Sequence, residues 1–206
     1  MSFLGLLDHA SVLVFALTGA LVASRAQLDL IGFAFFASLT GLGGGTLRDV
    51  LLDRTPLWIA QPGYLGVACA AALLVFFTAH LLESRYRALL WLDAAALAVA
   101  VAAGAGIALE MGQPAAIVVV MGVATGCAGG LARDVVANEV PLILKQGELY
   151  VSCAVAGSAV AVALSALDQS QLVSGLACAA STFALRAGSL ALGWRLPVYK
   201  PRPPRR

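Results

Sequence analysis

The sequence predicts an all-α membrane protein of seven transmembrane helices, built as two inverted three-helix repeats with a seventh helix appended. Three observations predict it. The 206-residue chain is 61% hydrophobic and only 12% charged, whereas soluble domains run at about 45–50% and about 25%. Its apolar residues gather into seven runs of the length a bilayer core demands, about 20 residues each. Finally, the stretch TGLGGGTLRDV, starting at Thr40, returns as TGCAGGLARDV, starting at Thr125.

The spans follow in order. The first covers 8–24; its flank lacks the basic segment of a secretory leader, so it is read as a retained helix. The second covers 28–53 and is interrupted at Gly43, Gly44 and Gly45. The third covers 64–82 and the fourth 88–109. The fifth covers 114–138 and is interrupted at Gly129 and Gly130. The sixth covers 148–167 and the seventh 172–194. These runs are long and alanine-rich and lack period-two alternation, which excludes a membrane barrel. The whole chain, 1–206, reads as a single membrane domain. Repeat 1 spans about 5–84, repeat 2 about 88–169, the seventh helix about 171–194, and a basic tail 195–206. The short loops leave no room for a soluble domain.

Charge placement sets the orientation. One side collects Arg25, Arg85, Arg87, Lys145, Arg195, Lys200, Arg202, Arg205 and Arg206, and the other holds Arg54 alone. Basic loops stay in the cytoplasm, so the C-terminus is expected inside and the N-terminus outside. The tail is expected to be disordered and to lie near anionic lipid headgroups. A formal net charge of +2 is too balanced to suggest nucleic acid as a partner.

From Thr40 to Thr125 the offset between the two motifs is 125 − 40 = 85. The same offset carries Asp8 onto Asp93, Gly19 onto Gly104, Pro56 onto Pro141 and Leu57 onto Leu142. Spans one to three therefore match spans four to six. Three is an odd number, so the second unit starts from the opposite side of the membrane. Inverted repeats with interrupted helices at matching positions point to a transport pathway near the midplane.

Within the motifs, the glycines have two uses. They let the second and fifth spans kink or unwind and free backbone groups, or they let helices pack closely. Arg48, Asp49, Arg133 and Asp134 follow at once, and an ionisable residue inside a membrane is a functional-site candidate. The alternative is a structural ion pair or a snorkelling arginine. Arg48 and Asp49 are adjacent and point about 100° apart on a helix, so each aspartate is expected to reach a neighbouring helix. Asp8 and Asp93 start their spans and read as helix caps or dipole partners. Arg186, deep in the seventh span, needs an acidic or carbonyl partner and is a further pathway candidate. His9 and His80 read as interfacial. Cys69, Cys127, Cys153 and Cys178 sit in apolar runs without metal-ligand spacing. No cofactor or metal motif and no nucleophile elbow, phosphate loop or HExxH pattern points to an enzyme.

On the motifs GLGGGTLRDVLL with Pro56 and GCAGGLARDV with Pro141, over roughly residues 5–194, the chain resembles the trimeric intracellular cation channel family. The bacterial members of that family overlap the glycine-transporter-domain proteins. The resemblance implies a homotrimer with a pore in each protomer, lined by the two kinked motif helices and conducting monovalent cations, chiefly K⁺, in a bacterial inner membrane. It places Gly43, Gly44, Gly45, Arg48 and Asp49 on that pore, with Gly129, Gly130, Arg133 and Asp134 from the second half. The second motif has Ala128 where the first has a glycine, so the two halves are not expected to match fully. Residue chemistry alone leaves three readings open. In a channel, aspartates on facing helices neutralise the arginines. In a carrier for a small zwitterion such as glycine, arginine and aspartate clamp its two ends. In an assembly protein, the pairs only stabilise the fold.

Overall fold

The computed structural model describes residues 2–82, 84–145 and 147–197. The first span becomes α1 (Phe3–Arg25), capped by the Ser2 hydroxyl, which accepts from the Gly5 amide. The second is α2 (Leu30–Leu51), capped in the same way by Asp29. A short helix, α3 (Leu57–Ala60), precedes α4 (Gly63–Thr78), which ends in a 3₁₀ turn over Ala79–Leu81. Next come α5 (Arg85–Glu110) and α6 (Ala115–Val136), then a 3₁₀ turn over Leu142–Leu144. The chain closes with α7 (Val151–Ala166) and α8 (Gln171–Leu192). Among the described residues, six helical segments are long and apolar enough to cross a membrane, and α7 is a shorter apolar helix. At 1.5 Å per residue its 16 residues reach about 24 Å. It begins at Val151, later than the sequence suggests, because 148–150 are taken up in side-chain bonds described below.

The repeat is visible in the backbone. Left-handed residues end the helices at matching places. Gln27 (φ 55°) follows α1 and Gly112 (φ 68°) follows α5; Asp53 (φ 53°) follows α2 and Asn138 (φ 54°) follows α6. Both pairs keep the offset of the two motifs. This is the usual left-handed stop of a helix, used twice in each unit.

The core centres on α5, which packs against α1, α6, α7 and α8 and whose alanine- and glycine-rich body is almost wholly buried. Small residues let backbones approach, which is how helices bind one another where lipid removes the hydrophobic drive. A Cβ on Gly19 would run into the Phe36 carbonyl of α2, and one on Gly104 into the Thr125 hydroxyl of α6. The outward faces carry Ile31, Phe35, Val50, Val120 and Val135, all exposed, as a lipid-facing surface requires.

The motif helices depart from expectation in one respect. Both are helical throughout their glycines, so no backbone is released by unwinding. The glycines serve close approach instead. A Cβ on Gly44 would run into the Thr125 carbonyl, and one on Gly129 into the Thr40 carbonyl. Residue 44 meets 125 while 129 meets 40, so α2 and α6 cross antiparallel and their C-terminal ends point to opposite ends of the molecule. The first residues of the tail also have a place: Arg195 pairs with Glu148, and the Leu196 amide donates to the Gly147 carbonyl at 2.8 Å. The expectation of disorder for 198–206 lies outside the described residues.

Candidate functional site

Arg48 sits in the last turn of α2 and is fully buried. A guanidinium there needs acceptors for its five N–H groups. Asp8 of α1 supplies two: Nη1 donates to Oδ1 at 2.7 Å and Nη2 to Oδ2 at 3.3 Å. Asp49 supplies a third oxygen, Oδ1, which accepts from Nε at 2.9 Å and lies 2.8 Å from Nη2. The other oxygen of Asp49 accepts from the Leu57 amide at 2.9 Å. Pro56 has no amide to offer, so the carboxylate reaches past it and fixes the turn that re-enters the fold at α3.

The second unit repeats the construction. Arg133 is fully buried; its Nη1 donates to Asp93 Oδ1 at 2.9 Å and its Nε to Asp134 Oδ1 at 2.8 Å. Asp134 Oδ2 accepts from the Leu142 amide at 2.8 Å, just after Pro141. Each arginine thus binds the aspartate that follows it and one far earlier in the chain, at the same sequence separation of 40 in both units. Two groups break the symmetry. The Thr18 hydroxyl, which donates to the Phe15 carbonyl, accepts from Arg133 Nη1 at 2.9 Å. The Tyr150 hydroxyl donates to Asp93 Oδ2 at 2.7 Å.

Two sequence readings are corrected here. Asp8 and Asp93 are not helix caps; they are the principal partners of the arginines, held in place by antiparallel pairing of α1 with α2 and of α5 with α6. Adjacent arginine and aspartate do bond to each other, because the long arginine chain folds back over the short one. Thr18 and Tyr150 were not singled out by sequence at all: the repeat offset pairs them with Ala103 and Leu65, so no repetition marks them. The role of Asp8 and Asp93 did have a signal, since each precedes its arginine by the same separation.

Arg186 stands apart from both clusters. It is buried on α8, donates to Glu148 at 2.9 Å and to the Leu149 carbonyl at 3.2 Å, and lies over the Tyr150 ring, 5.0 Å from its centroid. Through Tyr150 it adjoins the second cluster. The glycines Gly43, Gly44, Gly45, Gly129 and Gly130 lie between the clusters, at and beside the crossing of α2 and α6.

The surroundings of the two clusters differ. A polar cavity of about 290 Å³ opens beside the first, lined by Asp8, Arg48, Asp49, Arg54, Tyr64 and Glu110 among others. The Asp8 side chain is 12% exposed there, while Asp93 is wholly buried. The first cluster therefore meets the outside of the protein at Asp8, while Asp93 of the second is buried against Tyr150.

Comparison with known proteins shows the same two-fold repeat. A family model described as glycine transporter matches twice, over residues 5–80 and 90–166, and the starts of the two matches differ by 90 − 5 = 85, the offset of the motifs. The chain is 36% identical over 206 residues to the UPF0126 membrane protein of Vibrio cholerae serotype O1, covering 96% of this chain and 83% of that one. It is 36% identical over 159 residues to the UPF0126 inner membrane protein YadS of Escherichia coli K12, covering 75% of each. Among solved structures, the trimeric intracellular cation channel orthologue from Rhodobacter sphaeroides matches with a TM-score of 0.90 at 42% identity, over 94% of this chain and 100% of that one. The chain therefore belongs to the trimeric intracellular cation channel family, in the branch of UPF0126 membrane proteins that the glycine-transporter model describes, and its family and fold are those of membrane channels and not of enzymes.

Proposed function

We propose that the chain forms a channel for monovalent cations, chiefly K⁺, with a pathway inside each protomer that runs past the two arginine–aspartate clusters. The observation that carries this reading is the charge balance of the clusters. Each holds one arginine and two aspartates, a formal charge of +1 − 2 = −1. Arginine in a cation path looks wrong until its partners are counted. With two carboxylates to each guanidinium, both ends of the pathway attract a cation and repel an anion, as carboxylate rings do in other pores.

In this reading the cavity at Asp8 and Glu110 is the outer vestibule. Gly43, Gly44, Gly45, Gly129 and Gly130 form the shut middle, where α2 and α6 touch. Arg48 with Asp49 and Arg133 with Asp134 are the two ends, and Arg186 adjoins the inner one. The nine-to-one bias of basic residues supports an N-terminus outside and a C-terminus in the cytoplasm. The trimeric solved relative supports a homotrimer, and the inner-membrane relative supports the bacterial inner membrane. The basic face lies near anionic lipid.

A second reading is favoured by the description of the family model: a carrier for glycine. Against it, every Arg48 nitrogen already binds a carboxylate, which leaves the cluster beside the vestibule no free clamp for a substrate carboxylate. Purified protein in proteoliposomes, under a K⁺ gradient and with labelled glycine in a parallel set, separates the two. The channel reading expects rapid K⁺ flux unaffected by glycine. Saturable glycine uptake without K⁺ conductance would assign the carrier.

A further inference from the structure

The two clusters are copies in sequence but not in bonding, and of the two groups that break the symmetry, Thr18 and Tyr150, the tyrosine is the one bound to Asp93. In the outer cluster, both terminal nitrogens of Arg48 reach Asp8. In the inner cluster only Nη1 of Arg133 reaches Asp93, whose other carboxylate oxygen accepts from the Tyr150 hydroxyl. Arg133 Nη2 is left buried without a partner among the described residues.

The space beside it is also unlike the outer end. A Cβ on Gly130 would sit 3.7 Å from Arg133 Nη2 and 3.5 Å from both Asp93 Oδ1 and the Tyr150 hydroxyl, all ordinary contacts. A methyl-sized space therefore borders the spare donor. At the matching outer position, Gly45, the Leu57 side chain fills it. Behind the tyrosine stands Arg186, over the ring face and bound to Glu148. A cation on the ring face draws electron density from the phenol and strengthens its hydroxyl as a donor.

We infer that Tyr150, backed by Arg186, is a positioning residue of the inner cluster: it holds one oxygen of Asp93 away from Arg133, keeps that cluster one bond short, and makes the inner end the one that opens first. The functional meaning rests on the cation-pathway reading above; the bonding asymmetry does not.

Tyr150→Phe removes only the hydroxyl. Asp93 Oδ2 is then free for Arg133 Nη2, and the inner cluster takes the two-bond form the outer one already has. Opening is expected to become about tenfold rarer, the order set by one added charge-assisted hydrogen bond. Two readouts follow it. One is K⁺ flux in proteoliposomes. The other is the rate at which a membrane-impermeant methanethiosulfonate reagent modifies the native Cys127, read by mass spectrometry. Cys127 is buried in the same side-chain cluster as Tyr150 and is reached when the inner end parts. Both rates should fall together. If Tyr150 only clamps α7 to α5, its loss would instead quicken the modification and lower thermal stability; unchanged or faster modification overturns the inference. The thiol readout needs no conduction. A wild-type protein that passes no K⁺, together with slowed modification in the variant, would remove the channel reading and leave the inference standing. K⁺ flux with unchanged modification would do the reverse.

Discussion

Gly44→Ala is expected to destabilise the protein by about 3 kcal/mol or more, at the upper end of what overpacking does. The reason is what the new methyl meets. It would run into the Thr125 carbonyl, a backbone atom of α6, and a backbone cannot turn aside as a side chain can. The two helices must part, which strips contacts from the whole crossing. The neighbouring substitution is the control: a Cβ on Gly43 would meet only the Gly129 Cα, at 3.5 Å. Gly43→Ala should therefore leave stability unchanged or raise it slightly, since alanine favours a helix over glycine by about 1 kcal/mol. Thermal unfolding of the detergent-solubilised protein checks both. Equal losses at 43 and 44 would mean that the glycines matter for flexibility and not for close approach.

Asp93→Ala is expected to be as damaging, by about 3–5 kcal/mol, the usual result of stripping a partner from a buried ion pair. Arg133 would keep Asp134 and Thr18 but lose its principal counter-charge in a wholly buried site, and the Tyr150 hydroxyl would lose its acceptor. Asp8→Ala removes the matching residue of the outer cluster and should do less harm, because Asp8 borders the cavity and solvent can reach the exposed guanidinium. The yield of folded oligomer by size exclusion, followed by a melting curve, ranks the two. A larger loss at Asp8 would contradict the difference in burial on which the ranking rests.

These positions show what the sequence made legible. The duplication of the motif, its constant offset and the count of seven long apolar helices were readable because each is a statement about periodicity and length. The arginines could be singled out because charge in an apolar run is conspicuous. Their partners were harder to find. Asp8 and Asp93 stand at the starts of apolar runs, where a cap is the ordinary role, and only the packing of α1 on α2 and of α5 on α6 turns them into ion-pair partners. The glycines were ambiguous for a physical reason: the absence of a side chain permits both bending and close approach, and only the neighbouring helix decides which is used. Tyr150 and Thr18 were out of reach because repeat symmetry reveals only what is repeated. Both belong to the part of the site that differs between the two halves.

The central claim is that clusters with two carboxylates to each guanidinium make the pathway one for cations. The reversal potential of the reconstituted protein under a KCl gradient tests it most directly. The account predicts a reversal potential close to the K⁺ equilibrium value, shifted toward zero by Asp8→Asn as the outer cluster goes from a formal −1 to 0. A reversal potential near the Cl⁻ equilibrium value, or no current at any gradient alongside saturable glycine uptake, would contradict it.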